Sequence, residues 1–417
     1  MEKYKIITSI TEMGPYVSKI ILQMPFEVSS TEISKDSFNI YTERRELDTD
    51  EVVRASMFGM GPEIVSKGYQ TPLAVYVCDE AGNPAKKAAY VALELGEDAL
   101  GKRCQGTILT TRFVKNAYRI TLLHAIDEDP EKSGLIFDEC IEEICPQLKG
   151  WATKKYPEGD TRLNYGYYAP ETTEKAPLII WLHGAGEGGM DPNVVTHANK
   201  ISHLSTPAVQ AYYGGAAYIL VPQCPTVWMD DGVEKLGKSN QSIYVKPLMD
   251  CIEAFVAEHE STIDRNRIYV GGMSNGGFMT MRMIIDYPDY FAGALPACEV
   301  FYSHNITDEM LQSIKHIPIW FVHCKLDELV PSRETSLPTF FRLKEAGAEN
   351  VHFTFYKELF DNTGRYRNPD GSPRRMFQHA VWNPILNNEC CTDIDGTDVC
   401  VNGEPVTIWE WMACQKR

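Results

Sequence analysis

The sequence has no long hydrophobic run and fewer basic than acidic residues. No apolar stretch approaches the roughly 18–20 residues that a membrane span needs, so we expect no membrane partner. The 40 Lys and Arg residues against 57 Asp and Glu residues give a net charge of -17, which disfavours nucleic acid as a partner. The amino terminus has no apolar signal core, so a cytoplasmic location is expected, with secretion after signal removal as the alternative.

Cysteine is also sparse, since 12 cysteines in 417 residues are too dilute for a disulfide scaffold. Reduced thiols are expected, although the denser group near the carboxyl terminus leaves a disulfide or a metal open; it comprises Cys390, Cys391, Cys400 and Cys414. We expect no metal, because neither a CxxC pair nor an HExxH motif is present. Residues 393–398 match a calcium loop poorly and better fit a hairpin turn.

The first 125 residues contain short β-branched and aromatic runs separated by turn-forming stretches, which is typical of a small all-β sandwich. The runs cover residues 17–24, 37–42, 73–78, 89–95 and 118–125. Residues 126–160 are interpreted as a connector, in which 135–148 could form a helix limited by Pro146. A first domain that holds the sandwich and connector is therefore expected over residues 1–150.

From residue 151 onward, continuous apolar runs alternate with helical segments. Residues 163–168 are predicted to form a strand before this pattern begins. The apolar runs cover residues 178–183, 217–221, 268–271, 293–297, 319–323 and 351–355, and the helical segments cover 246–260, 276–287 and 334–345. Such runs fit strands that are buried on both faces of a parallel sheet. The alternation predicts an α/β domain over residues 151–417 with a doubly wound, mostly parallel sheet.

The sharpest motif is GMSNG at residues 272–276, which follows an apolar run and opens a helical segment. A serine in such a strand–turn–helix context can expose its hydroxyl to a cleft, and the flanking glycines relieve crowding at the turn. We therefore predict Ser274 as a nucleophile, with a plain turn as the alternative.

A serine hydroxyl needs a base, and the base needs an orienting acid. Asp327 follows the run at 319–323, where open α/β sheets place their sites, and Glu328 is the second choice for the acid. His379 follows His352 as the last histidine of the chain and is predicted to be the base. The remaining histidines are interpreted as structural, with His323 bonding a loop carbonyl.

A glycine-rich loop at residues 183–189 follows another apolar run. We expect its Ala185 N–H, together with the Asn275 N–H, to form an oxyanion hole. The same loop spells GxGxxG, but Pro192 and the lack of an acidic residue between Asp191 and Asp230 disfavour a dinucleotide site. Candidate substrate-pocket residues are Trp228, Met229 and Trp382.

These motifs together resemble the serine esterases of the α/β-hydrolase superfamily. The resemblance is greatest to the group of feruloyl and acetyl xylan esterases and polyhydroxybutyrate depolymerases, with an immunoglobulin-like domain at the amino-terminal side. It implies Ser274, Asp327 and His379 as a catalytic triad, and no direct part in bond breaking for Glu187. Cys324 and Lys325 depart from the small residues that often precede the acid in that group.

The expected function is that of a serine carboxylic-ester hydrolase that acts on short-chain or carbohydrate-linked esters without a cofactor. A prolyl-oligopeptidase-like serine peptidase is an alternative, although the amino-terminal region is too short for a propeller. A polymer-directed depolymerase and a non-catalytic binding protein are further alternatives. A homo-oligomer formed through the N-terminal domain is a possible assembly, since an exposed strand edge can pair with another copy.

Overall fold

The structure is a computed structural model, and it describes residues 2–57, 60–96, 101–107 and 109–417. The chain divides into two compact units. The first unit comprises Met1–Lys149 and the short segment His197–Lys200. The second comprises Gly150–Thr196 and Ile201–Arg417.

The first unit is built from strands in the part of the chain that the structure describes. They are β1 (Glu2–Thr11), β2 (Gly14–Ser29), β3 (Phe38–Glu46), β4 (Arg54–Met57), β5 (Met60–Val65), β6 (Lys67–Gln70), β7 (Ala74–Cys78), β8 (Lys87–Glu94), β9 (Arg103–Thr107), β10 (Thr110–Leu122) and β11 (Ile136–Ile144). The main sheet has the order β6-β3-β10-β11-β1-β2-β8-β7, and β9 pairs with β10. Its pairs are antiparallel apart from β1 with β11.

Alternating side chains build the core of this sheet. In β1 buried and partly exposed residues alternate, so that Tyr4 and Ile6 join one apolar cluster with Val17 and Ile20 of β2. The predicted runs in the first 125 residues are confirmed as parts of β2, β3, β7, β8 and β10.

The predicted helix over residues 135–148 is wrong, because this segment forms β11. β11 pairs with β1 on one side and with β10 on the other. Both of its edges thus find backbone partners, and Phe137 is buried in the core of the sheet. The interpretation of 126–160 as a connector is corrected in the same way.

The second unit contains an eight-stranded sheet within the described residues. Its strands are β12 (Trp151–Lys154), β13 (Asn164–Tyr168), β14 (Ala176–Leu182), β15 (Tyr218–Gln223), β16 (Ile263–Met273), β17 (Gly293–Ala297), β18 (Ile319–Cys324) and β19 (Val351–Tyr356). The order is β12-β13-β15-β14-β16-β17-β18-β19. β12 and β13 run antiparallel to their neighbours, and the pairs from β15 to β19 are parallel.

Helices accompany this sheet and cover both of its faces. They are α1 (Asn193–Thr196), α2 (Pro207–Tyr212), α3 (Val245–Glu258), α4 (Asn275–Asp286), α5 (Asp308–Ile314), α6 (Ser336–Glu345), α7 (Trp382–Leu386) and α8 (Ile408–Ala413). In β14, Leu178 and Ile180 join one apolar cluster, whereas Ile179 and Trp181 join another. A strand that feeds two cores is buried on both faces, as the continuous apolar runs predicted.

The carboxyl-terminal tail holds a small hairpin of β20 (Cys400–Val401) and β21 (Glu404–Pro405). Residues 392 and 398 form a bridge, so the segment between them is a turn as predicted. All 12 cysteines carry free thiols. Among the described residues, no cluster of three or more His, Cys, Asp or Glu side chains is arranged to bind a metal, and no helix is long and apolar enough to cross a bilayer.

Candidate active site

Ser274 lies in a sharp turn between β16 and α4. Its φ of 55° and ψ of -113° are strained for a residue with a side chain. A Cβ built on Gly272 would lie 2.7 Å from the carbonyl oxygen of Leu182, and one on Gly276 would lie 2.0 Å from the same oxygen. The turn is therefore possible only because glycine stands at both positions, which is the geometry of a nucleophile elbow.

The turn is also held from the neighbouring strand. The Ser274 N–H donates a hydrogen bond to the carbonyl oxygen of Ala297 at 2.8 Å. The Ser274 side chain is half-buried, and its hydroxyl makes no hydrogen bond within the part of the chain that the structure describes. The hydroxyl is thus available for another partner.

Asp327 is held in a turn that follows β18. Its Oδ1 accepts hydrogen bonds from the Leu329 N–H at 2.8 Å and the Val330 N–H at 2.9 Å. Its side chain is 1% exposed. The second-choice acid, Glu328, instead lies 3.5 Å from Arg375 with 47% of its side chain exposed. Of the two carboxylates, only Asp327 is oriented by this turn.

His379 contacts this carboxylate directly, since its Nδ1 lies 2.7 Å from the Asp327 Oδ2. The imidazole lies between two aromatic rings, with centroid distances of 5.9 Å to Phe377 and 5.5 Å to Trp382. Because Nδ1 is committed to the carboxylate, Nε2 is the ring nitrogen left for another partner.

The electrostatics of Asp327 favour its charged form. Burial alone raises the pKa of a carboxyl group, but contacts with His323 and His379 hold the pKa of Asp327 well below its usual range. Asp327 therefore stays ionised in the folded protein at neutral pH, as a group that orients an imidazole must.

The serine turn and the Asp–His pair lie at the same edge of the sheet. The strand register places Met273 beside Ala297, and Ala297 beside Val322. β16 and β18 are thus separated by β17 alone, about 10 Å apart at the usual strand spacing. Cys298, directly after β17, interacts with the Ser274 backbone and with the Asp327 charge, and burial raises the pKa of its thiol.

The glycine-rich loop after β14 packs against the elbow. A Cβ built on Gly184 would lie 3.7 Å from Met273, the residue before Ser274. Ala185 begins a 3-10 turn and Asn275 begins α4. Neither N–H has an acceptor inside its own helix, because the first N–H groups of a helix never do.

Further contacts hold this loop in place. His183 is buried, its Nδ1 lies 2.7 Å from the Gly184 carbonyl oxygen, and its Nε2 accepts from the Cys224 N–H at 3.1 Å. Burial lowers the pKa of His183 to about 4, so its ring is neutral and structural. The next helix, α1, begins only at Asn193, which disfavours the dinucleotide alternative.

The candidate pocket residues have different environments. Trp228 is fully buried against His183 and Tyr244, and its backbone N–H donates to the Asn275 Oδ1 at 2.5 Å. It therefore supports the loop and is not exposed to a ligand in this structure. Met229 is also buried, whereas Trp382 is half-buried beside His379.

Sequence reasoning missed two contacts at this site. Gln378, next to His379, is fully buried, and its Oε1 accepts hydrogen bonds from the Leu359 N–H at 2.9 Å and the Cys324 thiol at 3.4 Å. His323 contacts the Val330 carbonyl oxygen as expected, but it also lies 3.2 Å from the Asp327 Oδ2. The four-residue spacing between His323 and Asp327 was the only signal for this second contact.

Two family matches cover most of the chain. Residues 168–362 match the family described as Phospholipase/Carboxylesterase. Residues 3–127 match the family described as Esterase Ig-like N-terminal domain.

Solved structures and curated proteins are also similar to this chain. A solved structure titled "Crystal Structure of a Thermostable Esterase" superimposes over 99% of both chains with a TM-score of 0.72 and 24% identity, a likeness of fold. A poly(3-hydroxybutyrate) depolymerase of Ralstonia pickettii is 30% identical over 149 residues, which are 34% of this chain and 30% of the depolymerase. Acyl-protein thioesterase 1 of Cryptococcus neoformans is 24% identical over 204 residues, which are 45% of this chain and 81% of the thioesterase.

The chain spans less than a third of the length of the first curated relatives that it matches. The two family matches and the similar fold confirm the resemblance inferred from the motifs. Residues 168–362 therefore carry a domain similar to the phospholipase/carboxylesterase family, and residues 3–127 carry a domain similar to the esterase Ig-like N-terminal domain, which together indicate a carboxylic-ester hydrolase.

Proposed function

We propose that this protein is a serine carboxylic-ester hydrolase that forms an acyl-enzyme at Ser274 and acts on short-chain or carbohydrate-linked esters. The observation that carries the proposal is the 2.7 Å contact between His379 and Asp327 at the sheet edge where the strained Ser274 turn also lies. The match of residues 168–362 to the phospholipase/carboxylesterase family supports the reaction class.

In the proposed reaction, the His379 Nε2 takes the proton of the Ser274 hydroxyl as its oxygen attacks the acyl carbon. Asp327 holds the ring and stabilises its charged form. The N–H groups of Ala185 and Asn275 donate hydrogen bonds to the carbonyl oxygen and stabilise the negative charge that develops on it. His379 then gives its proton to the leaving alcohol.

Hydrolysis of the acyl-enzyme repeats these steps with water as the nucleophile. His379 takes a proton from the water, and the Ser274 oxygen leaves and is protonated again. No step calls for a cofactor. Trp382, beside the His379 imidazole, is proposed to border the substrate. The buried Trp228 and Met229 are proposed to lie behind the pocket, where Trp228 supports the glycine-rich loop.

The direct test is turnover of p-nitrophenyl acetate and butyrate by wild type and Ser274→Ala. Loss of the nucleophile should lower kcat by about 10⁴-fold or more. Ser313→Ala is the matched control, because Ser313 is exposed on α5 of the same unit and should leave turnover unchanged. Wild-type turnover by Ser274→Ala, or no fluorophosphonate labelling of the wild type, would refute the proposal.

A polymer-directed depolymerase is the second candidate. Exposed apolar side chains flank the acid and the base, since Leu329 is 60% exposed and Phe377 is 47% exposed. The local match to a poly(3-hydroxybutyrate) depolymerase agrees with this alternative. The test is clearing of poly(3-hydroxybutyrate) granules by wild type and Leu329→Ser. A depolymerase is favoured if Leu329→Ser no longer clears the granules but still turns over p-nitrophenyl butyrate.

The N-terminal unit is proposed to bind substrate or a second copy of the chain, and the chemistry is assigned to residues 151–417. β6 and β7 lie at the two ends of its sheet and are the edges at which another strand can pair. Light scattering on the full chain measures its molar mass and so tests self-association. Tyr69→Pro in β6 is the variant for this test.

A cytoplasmic location is proposed over secretion. The free thiols of Cys140, Cys400 and Cys414 are exposed, and exposed thiols persist better where glutathione keeps them reduced. Fractionation of the source cells tests this, and recovery of the protein outside the cell would contradict it.

A further inference from the structure

A second imidazole stands beside the proposed acid. His323 is the penultimate residue of β18, and its side chain is fully buried. Its Nε2 lies 3.1 Å from the Val330 carbonyl oxygen and 3.2 Å from the Asp327 Oδ2. On the other side of the ring, Nδ1 lies 2.7 Å from the Ser336 hydroxyl of α6.

These contacts determine which ring nitrogen carries the proton. A carbonyl oxygen and a carboxylate oxygen are both acceptors, so the Nε2 of His323 must be protonated. The Ser336 hydroxyl can then donate to the unprotonated Nδ1. The buried ring is satisfied on both sides, and its N–H edge faces the acid.

His323 therefore contacts both ends of the turn from Asp327 to Val330. The Val330 N–H donates to the Asp327 Oδ1, while the Val330 carbonyl accepts from His323. The same His323 nitrogen lies against Oδ2, the oxygen that also contacts His379. Because both carboxylate oxygens have partners, rotation of the Asp327 carboxylate away from His379 would break these contacts.

The charged and titratable groups around the carboxylate come from three elements. His323 and the Cys324 thiol belong to β18, His379 to the loop before α7, and the Cys298 thiol follows β17. Only His323 and His379 contact Oδ2 among these groups, and of these two imidazoles only His323 has no solvent-exposed surface.

We propose that His323 is a positioning residue for the esterase reaction, which holds Asp327 ionised and aligned so that Asp327 can orient His379. The inference rests on the proposed function, and His323 itself touches neither substrate nor the reacting atoms.

The test compares His323→Gln with His323→Asn. The glutamine amide reaches the position of Nε2 and can donate to Val330 and Asp327, whereas the asparagine amide reaches only the position of Nδ1. His323→Asn should lower kcat about tenfold with KM unchanged, because a hydrogen bond to a charged group is lost. His323→Gln should recover most of kcat.

The pH profile separates positioning from mere support. The acid limb of kcat/KM reports protonation of the base, His379. Without the His323 N–H, the Asp327 carboxylate is a stronger acceptor for the His379 N–H and favours the charged ring, so the acid limb should shift to higher pH in His323→Asn and return in His323→Gln. His352→Phe is the matched control, because His352 also pairs with a carboxylate, at 2.9 Å from Asp393. That variant should lower the melting temperature and leave kcat and the pH profile unchanged.

The outcomes are distinct. If both His323 variants melt early yet keep the wild-type kcat and acid limb, the residue is structural only and the inference is wrong. If the variants fail to fold, ¹⁵N NMR of the wild-type imidazoles decides, since a deprotonated Nε2 at His323 would overturn the inference. A wild type that neither hydrolyses p-nitrophenyl esters nor reacts with a fluorophosphonate would overturn the proposed function as well.

Discussion

Two aspartates in different sheets build similar turns with different consequences. Asp79 follows β7 in the N-terminal unit, and Asp327 follows β18 in the hydrolase unit. Each accepts two hydrogen bonds from backbone N–H groups of its own turn, at 2.8 and 2.9 Å. In both cases a carboxylate satisfies the donors that a turn leaves open.

The two carboxylates differ in what the neighbouring elements bring to them. Asp79 is exposed, and its Oδ2 contacts the nearby Asn83 amide at 3.0 Å. Asp327 is buried, and its Oδ2 faces the imidazoles of His379 and His323. Parallel strands end at a common edge, so turns from distant parts of the chain meet there. The comparison teaches that sheet topology, and not the turn itself, brings such a carboxylate into contact with imidazoles.

The largest expected effect is that of Asp327→Asn set against Asp79→Asn. An asparagine at 327 keeps the size of the side chain but removes the charge that orients His379, so kcat should fall by about 10⁴-fold. Asp79→Asn should leave kcat unchanged. The measurement is p-nitrophenyl butyrate turnover with both variants confirmed as folded by circular dichroism. Equal losses in the two variants would break the comparison.

The same comparison explains how much of the site could be predicted from sequence. Ser274, Asp327 and His379 were each predicted from local signals, namely a glycine-flanked serine after a strand, an acid after a strand, and a late histidine. The contact of His323 with Asp327 could not be predicted, because it forms only when the turn from 327 to 330 folds back onto β18.

The limits of predicting the fold have the same physical origin. The apolar runs predicted the buried strands of the hydrolase sheet, since a strand covered on both faces is apolar along its length. β11 was predicted as a helix, because its strand partners, β1 and β10, are determined by tertiary pairing and not by its own sequence. Trp228 was placed in a pocket, whereas its contacts with His183 and Tyr244 bury it.

A smaller effect, on stability, is expected at two glycines. A Cβ on Gly276 would lie 2.0 Å from the Leu182 carbonyl oxygen, whereas nothing lies within 4 Å of one built on Gly68 in the edge strand β6. Gly276→Ala should therefore destabilise the hydrolase unit by about 3 kcal/mol, because a backbone atom cannot move aside as a side chain can.

Gly68→Ala should change stability by less than about 0.5 kcal/mol, as a surface substitution without a clash does. Thermal unfolding of both variants checks this, with the shift in melting temperature as the readout. A Gly276→Ala protein that melts with the wild type would mean that the elbow tolerates a Cβ and that the glycine is not required there.

Two glutamates extend the comparison to pH. Glu299, two residues after the end of β17, is fully buried, and its Oε1 has no partner within the described residues. Burial raises the pKa of Glu299 to about 8. Glu46 of β3 instead receives two hydrogen bonds from Arg112, at 2.8 and 2.6 Å, which hold its pKa below the usual value.

The smallest effect is expected for Glu299→Gln, and it depends on pH with a definite sign. Since the folded-state pKa of Glu299 is raised, its contribution to stability is full below the unfolded-state pKa and is lost as pH rises to about 8. A neutral glutamine removes this loss, so the free energy of unfolding of the variant should gain about 1 kcal/mol or more over that of wild type between pH 5 and pH 8.

Glu46→Gln should behave oppositely, because the lowered pKa of Glu46 contributes stability at neutral pH that disappears in acid. Urea unfolding at pH 5 and pH 8 measures the effect of Glu299→Gln, and unfolding at about pH 3 and about pH 6 measures that of Glu46→Gln. A Glu299→Gln curve that runs parallel to wild type would show that Glu299 is ionised in the folded protein and solvated by water.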